Sequence, residues 1–151
     1  MPRYRNLLIV IADGEHARFV RPAGDNAVHS DAAFDSIWAH KRSAELGSDH
    51  PGATFHSGTP AHHSVAPRHD PHALAKQRFA ELVGDQLNAA ADRDEFEHLV
   101  IVAPPHTLSA IRKELGGTAT ARIVGTRSKD LANVPDNELW PHVARWVQPG
   151  L

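Results

Sequence analysis

Leu7-Leu8-Ile9-Val10-Ile11-Ala12, followed at once by Asp13-Gly14, is the stretch whose reading decides the fold. An unbroken apolar run between polar residues reads as a strand buried on both faces of a sheet. The run is too short to span a membrane. Asp-Gly is a tight-turn signal, because glycine tolerates positive φ. His16-Ala17-Arg18-Phe19-Val20-Arg21 then alternates as a second strand. Pro22 to Asn26 reads as a turn, and Ala27 to Asp35 as a third, shorter strand. The three predict an antiparallel meander.

Further along, Asp70-Pro71 opens a helix: Asp caps free amides, and Pro is tolerated at the first helical position. Leu74, Ala75, Phe79, Leu82, Val83, Gln86, Leu87 and Ala90 mark its inner face at helical spacing, to about Asp92. His98-Leu99-Val100-Ile101-Val102-Ala103 is a second fully buried strand, ended by Pro104-Pro105. Thr107 is placed to cap a second helix carrying Leu108, Ile111 and Leu115, which Gly116-Gly117 would stop in a left-handed terminus. Ala121 to Gly125 reads as the next strand. Asp136 to Val147 reads as a terminal helix with Leu139, Trp140, Val143 and Trp146. A meander followed by α/β crossovers predicts one α/β domain over 1–151. Its mixed β-sheet would carry an antiparallel N-terminal meander and flanking helices, the layout of ribonuclease-H-like folds.

Between Lys41 and Asp70 the pattern stops. The stretch is rich in Gly, Pro, Ser, Thr and His, and a loop of this length inside a compact domain is usually functional or disordered. The chain holds 12 histidines, and His50, His56, His62, His63, His69 and His72 crowd into or next to this loop. There is no cysteine, which excludes disulfides, thiolate nucleophiles and Cys-type zinc sites. The formal charge of -2 gives no global field for nucleic acid or an acidic membrane, so any such contact needs a local patch. The N-terminal residues carry no secretory pattern, and a cytoplasmic location is expected.

Several local patterns occur in a characteristic order. They are Ala12-Asp13-Gly14 with Ala17-Arg18; Pro51-Gly52-Ala53-Thr54-Phe55-His56-Ser57; Arg78-Phe79-Ala80; Val102-Ala103-Pro104-Pro105 with Leu108, Arg112 and Leu115; and Lys129-Asp130-Leu131. Together they resemble the bacterial host attachment family, named for proteins required for attachment to host cells. That family looks like the middle domain of archaeal and eukaryotic peptide-chain release factors. In those proteins a long loop before a long helix carries Gly-Gly-Gln into the ribosomal peptidyl-transferase centre. The resemblance implies a release-factor-like fold and a loop that approaches RNA, with the ribosome or tRNA as partner. It does not carry the hydrolytic chemistry across. The sequence contains no Gly-Gly-Gln, and its only double glycine, Gly116-Gly117, is followed by Thr118.

Four constellations are candidates for function. Lys41, Arg42, Arg68, Lys76 and Arg78 flank the loop and could meet RNA phosphates; the plain alternative is a mixed-charge surface. His56, His62, His63, His69 and His72, with Asp70, could ligate zinc, copper or nickel. Their irregular spacing fits a solvated polar loop equally well. Asp13 and Asp130 could belong to a magnesium-dependent nuclease centre, but each also reads as a turn residue, and the first strand holds no acid. Ser57 and Ser64 lie near histidines without a nucleophile elbow. Trp38 could anchor the loop or a protein partner, which would make the chain an interaction module. The reading that follows is a binding domain for RNA or the ribosome. A metal- or small-ligand-binding protein and a protein-interaction module are the alternatives.

Overall fold

A computed structural model describes residues 3–36 and 71–148. One five-stranded sheet organises them, in the order β3-β2-β1-β4-β5. These are β1 (Leu7–Ala12), β2 (His16–Gly24), β3 (Ala27–Asp35), β4 (His98–Ala103) and β5 (Ile123–Ser128). β1 pairs antiparallel with β2 and parallel with β4, and β4 pairs parallel with β5. The mixed α/β sheet with an N-terminal meander is the architecture expected from the sequence. Every residue of β1 is buried, which is why the run shows no alternation.

The helices are α1 (Pro71–Asp92), α2 (Pro105–Glu114), the short α3 (Gly117–Ala121) and α4 (Trp140–Val147), with a 3-10 turn at Asp136–Glu138. The sheet separates two apolar layers. On one face Leu8, Val10, Leu99 and Ile101 meet Phe79, Val83 and Leu87 of α1 and Ile111 of α2. On the other, Ile9, Ile11, Val100 and Val102 meet Leu131, Leu139, Val143 and Trp146. Burial of this kind stabilises by roughly 1.5–3 kcal/mol for each large side chain.

Several expected boundaries shift, each for a local reason. The second hairpin turns at Asp25 and Asn26, both at positive φ, so β2 runs on through Pro22 to Gly24. β3 is consequently as long as β2 rather than shorter. α2 starts at Pro105, not after a Thr107 cap, because Pro105 presets the helical φ in the first turn. It ends at Glu114 with Leu115 extended, and Gly116 has φ -79°, so no left-handed terminus forms. Gly117 instead begins α3. That turn displaces β5 to Ile123–Ser128, beyond the expected Ala121 to Gly125. The terminal helix splits at Leu139, one residue before α4. The inner face of α1 also differs from expectation. Phe79, Ala80, Val83, Gly84, Leu87, Ala90 and Ala91 are buried, while Leu74 and Leu82 point away from the core.

The segment after β5 crosses the second face and is clamped by Arg18 of β2. Arg18 Nη1 donates to Asp136 Oδ1 at 2.8 Å, and Nη2 donates to the carbonyls of Leu131 at 3.0 Å and Val134 at 2.6 Å. Asp136 in turn accepts from the Ser30 backbone N–H at 2.7 Å and its hydroxyl at 2.8 Å. The β2–β3 register shifts between Phe19 and Val20, which leaves this part of β3 an irregular edge. Asp136 satisfies the Ser30 amide there, as a buried or half-buried donor requires.

Candidate functional site: a cleft at the carboxyl ends of the parallel strands

The chain leaves β1 toward β2 and leaves β4 toward β5, in opposite directions along the sheet. Such divergence opens a crevice beyond the strand ends, where α/β sheets characteristically bind ligands. A cleft of about 650 Å³ lies there. The turn after β1 contributes Asp13, Gly14 and Glu15, and the start of α2 contributes His106 and Thr107. Asp130 enters from the segment after β5, and His72 and Lys76 come down from α1. Its volume falls within the usual range of small-ligand sites.

Each wall has a local cause. Asp13 Oδ1 accepts the backbone N–H of Glu15 at 2.8 Å and of His16 at 2.7 Å, an Asx turn that fixes its carboxylate at the strand end. Asp130 does the same more loosely for the Ala132 amide, at 3.2 Å. The turn readings of both aspartates therefore hold, and the fold also brings the two into one cleft. Gly14 is present for a reason other than the expected one. It is not among the positive-φ residues; among the described residues the glycine found there is Gly24. Instead the stem of Lys76 lies against it. A Cβ at position 14 would sit 2.8 Å from both Lys76 Cγ and Lys76 Cδ. The missing side chain makes a notch that routes the lysine into the cleft. α2 meets the cleft with its amino end, where Pro104 offers no side-chain cap. The first amide there to find a backbone acceptor is that of Leu108, bonded to the Pro104 carbonyl at 2.8 Å. The first-turn amides before it give this wall a positive dipole end.

The cleft thus holds both signs of charge, Lys76 with the carboxylates of Asp13, Glu15 and Asp130, and it also holds the imidazoles of His72 and His106. Among the described residues no cluster of three or more His, Asp or Glu side chains is arranged to hold a metal ion.

The candidates from the sequence separate accordingly. His72 and Lys76 reach the cleft. Arg78 does not join Lys76. Two residues further along a helix turns a side chain to the far side, and Arg78 lines a separate apolar groove with Leu74, Phe79 and Leu82. Lys41, Arg42, Arg68, Trp38, Ser57, Ser64, His56, His62, His63 and His69 lie outside the described residues. Sequence reasoning missed Glu15, His106 and Thr107. Their signal was position: each directly follows a strand that reads as buried, at the end where connections diverge.

No helix among the described residues is long and apolar enough to cross a membrane. A family model described as "Protein required for attachment to host cells" matches residues 8–143, which spans both layers of the fold and every wall of the cleft. No curated protein matches the chain.

Proposed function

Because the chain belongs to the family of proteins required for attachment to host cells, we propose that it is a binding domain for RNA on the ribosome, acting in the cytoplasm through the cleft beyond β1 and β4. The family description records a phenotype and names no chemistry. The observation that carries the reading is Lys76, seated in the notch at Gly14 and directed into a cleft that also holds His72 and His106. A lysine ammonium near a helix amino end can receive a phosphate, and the carboxylates of Asp13, Glu15 and Asp130 in the same cleft would hold such a contact to the lysine and the helix end. The strand order, with β2 alone antiparallel to the rest, is compatible with the ribonuclease-H-like, release-factor-like layout that the sequence resembles. Binding rather than hydrolysis is proposed because Gly-Gly-Gln is missing from the sequence.

The test is co-sedimentation of the protein with ribosomes across a salt series, comparing wild type with Lys76→Ala. Phosphate contacts make the logarithm of affinity fall linearly with the logarithm of salt, by about 0.7–0.9 for each contact. The lysine variant should bind more weakly and lose about one such unit of slope. Equal binding by both proteins at every salt concentration would defeat the proposal.

A second reading has its own support. The volume of about 650 Å³ and the opposed charges suit a small polar ligand. Binding of a nucleotide or amino acid by isolated protein that does not sediment with ribosomes would favour it. Transition-metal binding through the histidines is a further proposal, tested by elemental analysis of the purified protein.

A further inference from the structure

β5 is the edge strand opposite β3, and it meets α4 along a seam rich in hydrogen-bond donors. Val100 and Val102 of β4 belong to the second apolar layer, and they pair with Gly125 and Arg127 of β5. Those two residues therefore face α4. Opposite them on α4 stand Trp146 and His142, four residues apart and so on one helix face. Two contacts close the seam. The Trp146 indole nitrogen fills the space that a Cβ on Gly125 would need. Arg127 Nη1 donates to the His142 carbonyl at 2.9 Å.

These contacts leave donors to spare. Trp146 is 7% exposed, and among the described residues its Nε1–H has no acceptor, although a buried indole normally finds one. Arg127 is half-buried, and among the described residues its guanidinium has no carboxylate partner. Lys129, one residue beyond β5, is exposed, and its backbone N–H is tied to the Ala103 carbonyl at 3.0 Å, which holds the residue at the strand end. The His142 imidazole is held below the ordinary histidine range, first by burial and then by the charges of Lys129 and Arg127. Among the described residues no carboxylate offsets them there. Asp136, in the turn before α4, is occupied by Ser30 and Arg18, Asp130 lines the cleft, and Glu138 does not act on the imidazole. Arg145, the other charged residue of α4, stacks 5.4 Å from the centre of the Trp146 ring and adds a further cation. Indole, guanidinium and ammonium groups donate hydrogen bonds and cannot accept them. A seam that holds all three, with an imidazole that gains a proton when an anion arrives, has the chemistry of an oxyanion site.

We propose that the seam between β5 and α4 is a phosphate-binding site. Arg127 and Lys129 supply the charge, and the Trp146 N–H and the His142 imidazole supply directed hydrogen bonds. None of these four residues lines the cleft that holds Lys76, so the site stands independently of the proposed RNA reading. A nucleic-acid backbone and a small phosphorylated molecule present the same group to it.

The test is an NMR pH titration of the His142 imidazole in the full chain, in phosphate and in chloride at equal ionic strength. Comparison with His142→Gln assigns the signal. Phosphate should raise the His142 pKa, since a bound anion favours the imidazolium, and should move the Trp146 indole N–H resonance. Lys129→Gln should raise the pKa in chloride, because a repelling charge is gone, and should weaken phosphate binding about 5-fold, the loss of one charge-assisted contact. Arg127→Gln should act in the same direction. Lys76→Ala, in the cleft, should respond as wild type does. Circular dichroism checks the fold of each variant, and the exposed Lys129 keeps the test decisive should Arg127→Gln unfold. A His142 that titrates identically in phosphate and chloride would overturn the proposal. So would a response unchanged by Lys129→Gln, or one abolished by Lys76→Ala, which would put the phosphate in the cleft. Uridine monophosphate and a short oligouridylate separate the two sources. Tighter binding of the oligonucleotide assigns the site to a nucleic-acid backbone, tighter binding of the monophosphate assigns it to a small molecule, and either supports a phosphate site.

Discussion

Replacing Gly84 by alanine sets two known effects against each other with opposite signs. Gly84 lies inside α1, and alanine in a helix interior is better than glycine by about 0.8–1 kcal/mol. Propensity alone therefore predicts stabilisation. The structure predicts the reverse. A Cβ at position 84 would lie 2.6 Å from Glu114 Cβ and 2.7 Å from Glu114 Cγ. Ordinary carbon–carbon contact is about 3.5–4.0 Å, so α2 must retreat by about 1 Å. Rotation cannot move Glu114 Cβ aside, because it is fixed to the backbone. The end of α2 is also tied to α1 by Asn88. Its Nδ2 donates to the Glu114 carbonyl at 3.0 Å, and its Oδ1 accepts from the Gly116 amide at 2.8 Å. A retreat stretches both bonds, each worth about 1 kcal/mol. Overpacking of this kind costs about 1–3 kcal/mol. Since the steric and hydrogen-bond losses exceed the propensity gain, Gly84→Ala should destabilise by about 1–2 kcal/mol. Urea unfolding followed by circular dichroism reads this as a lower midpoint with an unchanged slope. A midpoint raised by the amount propensity predicts would refute the close approach of α1 and α2.

Other outcomes follow from the same geometry. Gly125→Ala in β5 should lower stability by about 1–3 kcal/mol, because its Cβ would fall 2.8 Å from Trp146 Cε2, and a buried indole cannot bend away; calorimetry measures the loss, and an unchanged melting temperature would contradict the packing of α4 on the sheet. Gly14→Ala should crowd the Lys76 stem while changing the unfolding free energy by no more than about 0.5 kcal/mol; if the proposed RNA binding holds, its co-sedimentation with ribosomes should fall nearly as far as that of Lys76→Ala, and binding equal to wild type would count against the notch. The carboxyl of Asp136 is held below the usual range. Burial opposes its ionisation, but the hydrogen bonds from the Ser30 hydroxyl and amide, together with the Arg18 guanidinium, outweigh burial. A carboxylate with a depressed folded pKa contributes stability above its unfolded value, near 3.9, and that contribution is lost as pH falls through the folded value. Asp136→Asn should therefore be less stable than wild type at pH 7, and the gap should narrow as pH drops below about 4. A gap that stays constant down to pH 2 would argue against the Arg18 clamp.

How much of this was legible in the sequence differs from element to element. The strand Leu7–Ala12 was readable because a strand buried on both faces must be apolar throughout, and a six-residue run closed by Asp13-Gly14 is too short for a buried helix. The long helix was readable to its last residue, Asp92, from periodicity and its opening proline. The helix phase was not. Leu74 and Leu82 fit an inner face as well as the core residues do, and only the docking angle of α1 on the sheet puts them outside. Turn residues were readable as turns, since Asp13 and Asp130 bond amides two residues away. That they share a cleft depends on β1, β4 and β5 ending side by side, across more than a hundred residues of chain.

The sequence by itself determined the class of fold, because burial imposes composition on each strand and helix locally. It also determined the family, through patterns spread along most of the chain. Tertiary structure alone decided the grouping of the candidate residues. Lys76 and Arg78 look like one basic patch in the sequence, yet they serve a polar cleft and an apolar groove on opposite flanks of a helix. The glycines make the same point. Gly14 and Gly84 are conspicuous in sequence as turn or break, but both are small because another element passes close by. Close approach between distant segments leaves no local signature, since the cause lies in the partner and not in the neighbours along the chain.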